Sequence, residues 1–173
     1  MKKGDEMTES RMRVRAGLGA LLALALAGLA GCGRGGMSEL ECMERAIYFE
    51  ANRSSRDGMI AVGNVVMNRV RAQGYPNTVC GVVGQKGQFA PGVLTRRMDS
   101  KSLPAVREAA IAVLRGERQP GIGNAMFFHQ KDHRFSYDNM HYVLVAGGNA
   151  FYEKRKSHLV TQPVPPAPVD GLR

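Results

Sequence analysis

The chain contains no tryptophan, and only 6% of its 173 residues are aromatic, against 21 glycines. That balance predicts a loop-rich fold. It also lacks the run of roughly 20 apolar residues that a bilayer-spanning helix needs. There is no His-Glu-x-x-His pattern, no nucleophile elbow, and no glycine-rich phosphate loop leading into a helix, which sets aside the usual zinc-peptidase, serine-hydrolase and nucleotide-binding readings. No internal repeat is present. Acidic residues are short as well, 15 against 24 basic ones, for a formal charge of +9.

What is present begins with an address. Lys2, Lys3, Arg11, Arg13 and Arg15 precede residues 16–31, a 16-residue run of Ala, Leu and Gly. Its length and flanks fit a signal-peptide core. The run ends in Leu29-Ala30-Gly31-Cys32, which resembles a bacterial lipoprotein lipobox with Cys32 as the lipidated residue. A plain signal peptide or an anchoring helix is the alternative. Asp5, Glu6 and Glu9 are unusual in such a leader, and Met7 or Met12 are alternative starts. Removing residues 1–31 leaves 19 basic against 12 acidic residues, still +7. An exported basic protein meets membrane surface and the carboxylate-bearing cell wall, not nucleic acid. With Cys32 lipidated, Cys42 and Cys80 remain as one pair, able to bridge in an oxidising compartment or to stay as buried thiols.

Along the chain, residues 32–37 form a tether and residues 38–157 one domain, with residues 158–173 expected to be a proline-rich disordered tail. Ser38 followed by Glu41 reads as a capping box opening a helix to about Glu50. A second helix is predicted from Ser54 or Ser55 through Val70, with Ala61 and Gly63 small enough for close approach of another backbone, and a third from Ser102 to Gly116 with Pro104 in its first turn. Residues 73–78 and 84–92 are loops by their turn chemistry. After Gly123 the pattern becomes strand-like at residues 125–129, 141–145 and 150–152, with Gly147 and Gly148 as a hairpin turn.

One carboxylate stands out. Glu50, in Ala46-Ile47-Tyr48-Phe49-Glu50-Ala51, follows bulky apolar side chains at a helix C-terminus, where the dipole disfavours ionisation. Tyr48, Tyr75, Phe89, Phe128 and Tyr152 are candidates to stack on sugar faces, and Asn52, Gln85, Gln88, His129 and Asn149 to bind hydroxyl and acetamido groups. The bland alternative is a solubilising Glu at a helix end. A zinc site from His129 and His133 with Cys42, Cys80 or His141 is a weaker reading, because no second close pair accompanies the His spacing.

Five segments in order, AIYFEA, DGMIAVGNVVMNRV, YPNTVCGVVGQKGQFAP, AMFFH and the final FY, resemble the SleB/CwlJ-type cell-wall hydrolases across residues 40–154. The resemblance implies an α+β fold: a single lysozyme-like domain of several helices with a small antiparallel β-sheet near the C-terminal end. It implies an enzyme that cleaves peptidoglycan glycan strands between N-acetylmuramic acid and N-acetylglucosamine, with Glu50 as the catalytic acid and no cofactor. It also strengthens the case for a Cys42–Cys80 bridge. Expected substrate contacts are Tyr48, Gln85, Gln88, Phe89, Phe128, His129, Asn149 and Tyr152. Three departures from the family pattern bear on those contacts: Asn52-Arg53-Ser54 after the Glu block, Met126-Phe127-Phe128-His129 in the first strand, and Asn149 in place of a His. No second acid sits in a matched block beside Glu50, although Asp57, Asp99 and Asp132 remain open. A single Glu favours lytic transglycosylation over a two-acid muramidase or glucosaminidase. The other alternative is a lipoprotein that binds peptidoglycan without cutting it. The expected partners are peptidoglycan and, through the lipid, a membrane, for a monomer at the cell envelope on the periplasmic face of the outer membrane in a Gram-negative host.

Overall fold

The computed structural model describes residues 36–170. The leader, Cys32 and the first part of the tether lie outside them. Helix α1 spans Glu39–Ala51 and opens where the Ser38 hydroxyl accepts the Glu41 N–H at 3.1 Å. Only this half of the expected capping box forms, since the Glu41 carboxylate turns to Arg45, 3.3 Å away. Cys42, Met43, Ala46 and Ile47 follow helical spacing and are completely buried.

Helix α2, Arg56–Arg71, is capped by the Ser55 hydroxyl on the Gly58 N–H and is buried along most of its length. It packs against α1, against the short helix α3 at Val79–Val83, and against α4 at Leu103–Leu114, whose first turn carries Pro104. Gly63 is the contact point with α4: a β-carbon there would lie 2.8 Å from Val113 Cγ2. The expected close approach is thus made by a side chain of α4. Two polar residues of α2 serve the segment that follows α4. Asn64 donates to the Glu117 carbonyl and accepts the Gln119 N–H, and Asn68 donates to the Ala125 carbonyl at 2.8 Å. Loop backbone that would otherwise be buried without partners is satisfied in this way.

The α1 and α3 helices are joined by the Cys42–Cys80 disulfide. The Glu39 carboxylate accepts the Val79 N–H at 2.7 Å, which places a second tie beside the bridge. Helix α3 itself is absent from the sequence reading, because five residues of Val, Cys and Gly show no amphipathic period.

Strands β1 (Phe127–Gln130), β2 (Met140–Ala146) and β3 (Asn149–Lys154) form an antiparallel sheet in the order β1-β3-β2. The β2–β3 hairpin turns through Gly147 and Gly148, both with positive φ. Gly147 also rests on α2, since a β-carbon on Gly58 would come within 2.6 Å of its Cα. The sheet is thereby pinned to the first turn of the central helix.

The tail is not disordered over residues 158–170. Gln162 accepts the Tyr142 N–H through its carbonyl at 2.9 Å, and Val169 donates to the Val145 carbonyl at 3.0 Å. The Thr161 and Gln162 N–H groups reach His141 Nδ1, and Asp170 accepts the Gly147 N–H and the Ser55 hydroxyl. Proline removes a donor but leaves a stiff extended chain. The residues flanking the prolines, Gln162 before them and Val169 after them, carry the hydrogen bonds to β2, and Val169 adds an apolar contact to the core.

Candidate active site

Glu50 is the penultimate residue of α1 and lines an open cleft of about 370 Å³ together with Arg69, Gly87, Gln88, Phe89, Ala90, Phe127, Phe128 and Tyr152. Helix α1 supplies the acid, α2 the arginine, the 84–92 loop one wall and the β1–β3 pair the other. Phe127 and Tyr152 are register partners and stack with ring centroids 5.5 Å apart, so one end of the sheet presents a flat aromatic surface to the acid.

Glu50 Oε1 accepts the Ala90 N–H at 2.7 Å. Burial raises its pKa above the ordinary 4.5, while the Ala90 hydrogen bond and the Arg69 charge pull it back down. With Oε1 engaged as an acceptor, a proton on this carboxyl resides on Oε2, free to be donated into the cleft. The helix end and the aromatic walls were expected to hold the proton; the dominant cause is loss of solvent, and the two opposing groups keep the carboxyl able to ionise.

Arg69 is the residue that the sequence reading missed. It is only 3% exposed, donates through Nε to the Met126 carbonyl at 2.8 Å, and has no hydrogen-bond acceptor at its buried Nη1. Its guanidinium lies 5.4 Å from the ring centroid of Phe89 and 5.6 Å from those of Tyr75 and Phe127. Cation–π attraction to three rings replaces conventional partners and ties the loop wall to the strand wall. The signal was in the pattern: Val62, Val66 and Arg69 share one stripe of α2, so this arginine falls on an apolar face.

The cleft gathers Glu50, Gln88, Phe89, Phe128 and Tyr152. It does not gather Tyr48, Gln85, His129 or Asn149. Tyr48 stands two residues before Glu50, on the other side of the helix, and its hydroxyl accepts the Asp99 and Ser100 N–H groups at 3.2 and 3.1 Å. Gln85 lines a neighbouring groove with Val93, Leu94 and Thr95. His129 lies two residues along β1 from Phe127, with Nε2 against the Tyr142 hydroxyl at 2.8 Å. Asn149 is buried at the hairpin end of β3 and paired with Gln130, on the face opposite Tyr152. A motif position gives a place along the chain, and strand and helix periodicity then decide its direction. None of Asp57, Asp99 and Asp132 lines the cleft, and Glu50 is its one acid. The cysteines imagined as metal ligands are consumed by the disulfide, and no group of three His, Cys, Asp or Glu side chains suited to a metal occurs among the described residues.

A family model described as Cell Wall Hydrolase matches residues 53–152, more than half of the chain. The protein belongs to this cell wall hydrolase family. The matched segment starts just after Glu50, so the acid itself is singled out by its geometry. Family relatives include a spore cortex-lytic enzyme of Oceanobacillus iheyensis, 29% identical over 98 residues, covering 55% of this chain and 33% of that protein. A second spore cortex-lytic enzyme, from Bacillus cereus, is 27% identical over 99 residues, covering 55% of this chain and 36% of its own length. The chain therefore spans about a third of each of these relatives. The fold is similar to that of the catalytic domain of the germination-specific lytic transglycosylase SleB from Bacillus anthracis, with a TM-score of 0.56 at 23% identity over 70% of this chain and 100% of that one. The Bacillus cereus SleB catalytic domain gives the same TM-score and identity over 73% and 99%. The expected α+β fold and family membership are both borne out.

Proposed function

We propose that this family member cleaves peptidoglycan glycan strands between N-acetylmuramic acid and N-acetylglucosamine, as a lytic transglycosylase with Glu50 as its single acid and base. The observation that carries the reading is Glu50 itself: the one carboxyl in the cleft, desolvated, with Oε1 held by the Ala90 N–H and Oε2 uncommitted. Protonated Oε2 gives its proton to the glycosidic oxygen as the muramyl C1–O bond breaks, and the bonding electron pair leaves with that oxygen. Glu50, now a carboxylate, takes the proton of the muramyl 6-hydroxyl while that oxygen bonds to C1. The product is a 1,6-anhydro ring and Glu50 ends protonated, with no water consumed. Arg69 and the Ala90 N–H stabilise the intermediate carboxylate, while the surrounding apolar walls restore its affinity for a proton.

In this reading Phe127 and Tyr152 offer sugar-stacking faces and Gln88 a hydrogen-bonding amide. Mass spectrometry of fragments released from purified sacculi tests the reaction: anhydro ends, lighter by one water than hydrolysed ends, are expected. Reducing ends that depend on a second acid would make the protein a hydrolase, and binding without release would make it a wall-binding protein. We further propose that Cys32 carries lipid and holds the domain at the cell envelope. Replacing Cys32 by Ala should then release the protein from the membrane fraction, and unchanged partition would remove that part of the proposal.

A further inference from the structure

The aromatic surface does not stop at the cleft. Tyr152 contacts the His129 ring at 5.7 Å and the Tyr142 ring at 5.6 Å, and His129 meets Phe135 at 5.0 Å. Phe135 then stacks on Tyr137 with centroids 5.6 Å apart and planes within 17°. His133 closes on Phe135 from the side at 4.4 Å. The ladder therefore runs from Phe127 in the cleft out to the β1–β2 connection. Its outer rungs are solvent-facing, with Phe135 43% and Tyr137 67% exposed.

Two exposed rings held parallel in a connection whose residues 131–138 are all exposed have no folding role that burial would explain. His129 also has both ring nitrogens engaged, with the Gln130 carbonyl and the Tyr142 hydroxyl, so the middle of the ladder is fixed in orientation. The rings carry flat apolar faces, and the residues around them, Asp132, Ser136, Asp138 and Asn139, offer acceptors and donors for hydroxyl groups. Flat faces edged by short polar side chains match a pyranose. Lys131 pairs with Asp132 at 3.1 Å and Arg134 balances the charge of Asp138, so the tip carries no net positive charge to draw it to an anionic lipid surface.

We propose that Phe135 and Tyr137 form a remote sugar-binding subsite that grips the glycan strand some residues away from Glu50, with the His129–Tyr142 pair as the rigid link between subsite and cleft. This rests on the reading of the cleft as a glycan site, and continuity with that cleft is what selects the occupant. The remote grip holds a long strand while the cut is made and adds nothing to the bond-breaking step.

The test combines the full chain, a Phe135→Ala/Tyr137→Ala double variant and a conservative Phe135→Tyr/Tyr137→Phe variant. Binding to purified sacculi is read in a Glu50→Gln background, where turnover does not interfere, and cleavage is compared on sacculi and on a tetrasaccharide too short to leave the cleft. The double variant should bind sacculi about tenfold more weakly, the loss expected for a stacking contact. It should show a raised KM on sacculi with kcat unchanged, behave as wild type on the tetrasaccharide, and be rescued by the conservative variant. Equal losses on both substrates, or unchanged sacculus binding, would overturn the subsite. So would loss of binding to phosphatidylglycerol vesicles in place of sacculi, which would assign the rings to a membrane. If the wild type cuts neither substrate while the binding difference persists, the enzymatic reading falls and the subsite stands.

Discussion

The two ends of α1 use the same residue type for opposite purposes. In the N-terminal half Glu39 holds the Val79 N–H beside the disulfide, Glu41 pairs with Arg45, and Glu44, 8% exposed, meets Arg107 of α4 at 2.8 Å. Each of these carboxylates is committed to a partner inside the fold. At the C-terminal end Glu50 has one backbone donor, and the nearby arginine is directed onto aromatic rings. A closed pair stabilises; an incompletely satisfied acid retains chemical capacity, and the difference lies in what surrounds a carboxyl and not in the residue or its helix.

Exchanging the acid at the open end should have the largest effect. Glu50→Gln is isosteric and can still accept the Ala90 N–H, so the fold should persist while glycan cleavage falls by at least about 10² to 10⁴-fold, the range for loss of general acid catalysis. Release assays on sacculi measure it; near-normal activity would erase the contrast between the two ends. At the closed end the disulfide should dominate: replacing Cys42 and Cys80 by Ser should cost about 4 kcal/mol of stability by the chain-entropy model. Denaturant unfolding reports the loss, while cleavage per folded molecule should be unaffected. Arg107→Ala should cost about 1 kcal/mol, because its 61% exposed side chain leaves a screened contact with a mostly buried acid. An equal effect of this change on activity would mean the two ends are coupled.

The smallest effects concern pH. Burial raises the Glu50 pKa, so the folded state binds its proton more tightly than the unfolded chain. Stability from this group is therefore present below the unfolded value near 4.5 and is lost as pH rises through the folded value. Thermal melts of Glu50→Gln and wild type should coincide in acid and separate in favour of the variant toward neutral pH; a constant gap would contradict the sign. Arg69→Met removes the charge that lowers the Glu50 pKa, and the limb of the pH–rate profile set by Glu50 should move to higher pH.

Much of the helical half was legible because its signals are local. Ser38 and Ser55 cap as their positions suggest, Pro104 opens α4, and apolar spacing marks the buried faces of α1 and α4. Glu50 drew attention through its apolar neighbours, but the pattern alone left a helix-end surface acid open, and the role proposed for it came from the family resemblance. The strand segments could be found from their composition, but the order β1-β3-β2 depends on pairings between distant residues that no local pattern encodes. Arg69 escaped for a related reason: its partners Tyr75, Phe89 and Phe127 come from three separate segments. The tail was misread because proline content describes what a segment cannot donate and is silent on what Gln162, Val169 and Asp170 on either side of the prolines can reach.

That tail has a consequence for how the protein behaves in a crowd of its own copies. By engaging Tyr142 and Val145 along the flank of β2, it occupies backbone groups that would otherwise be open to another chain. Unpaired strand edges are templates for intermolecular pairing, and here the guard is built from a polymer that cannot itself extend a ladder. A chain ending at Leu159 should keep its cleft yet self-associate as concentration rises, visible as growth in scattering mass. Monomeric behaviour of the shortened chain at high concentration would show that β2 needs no guard.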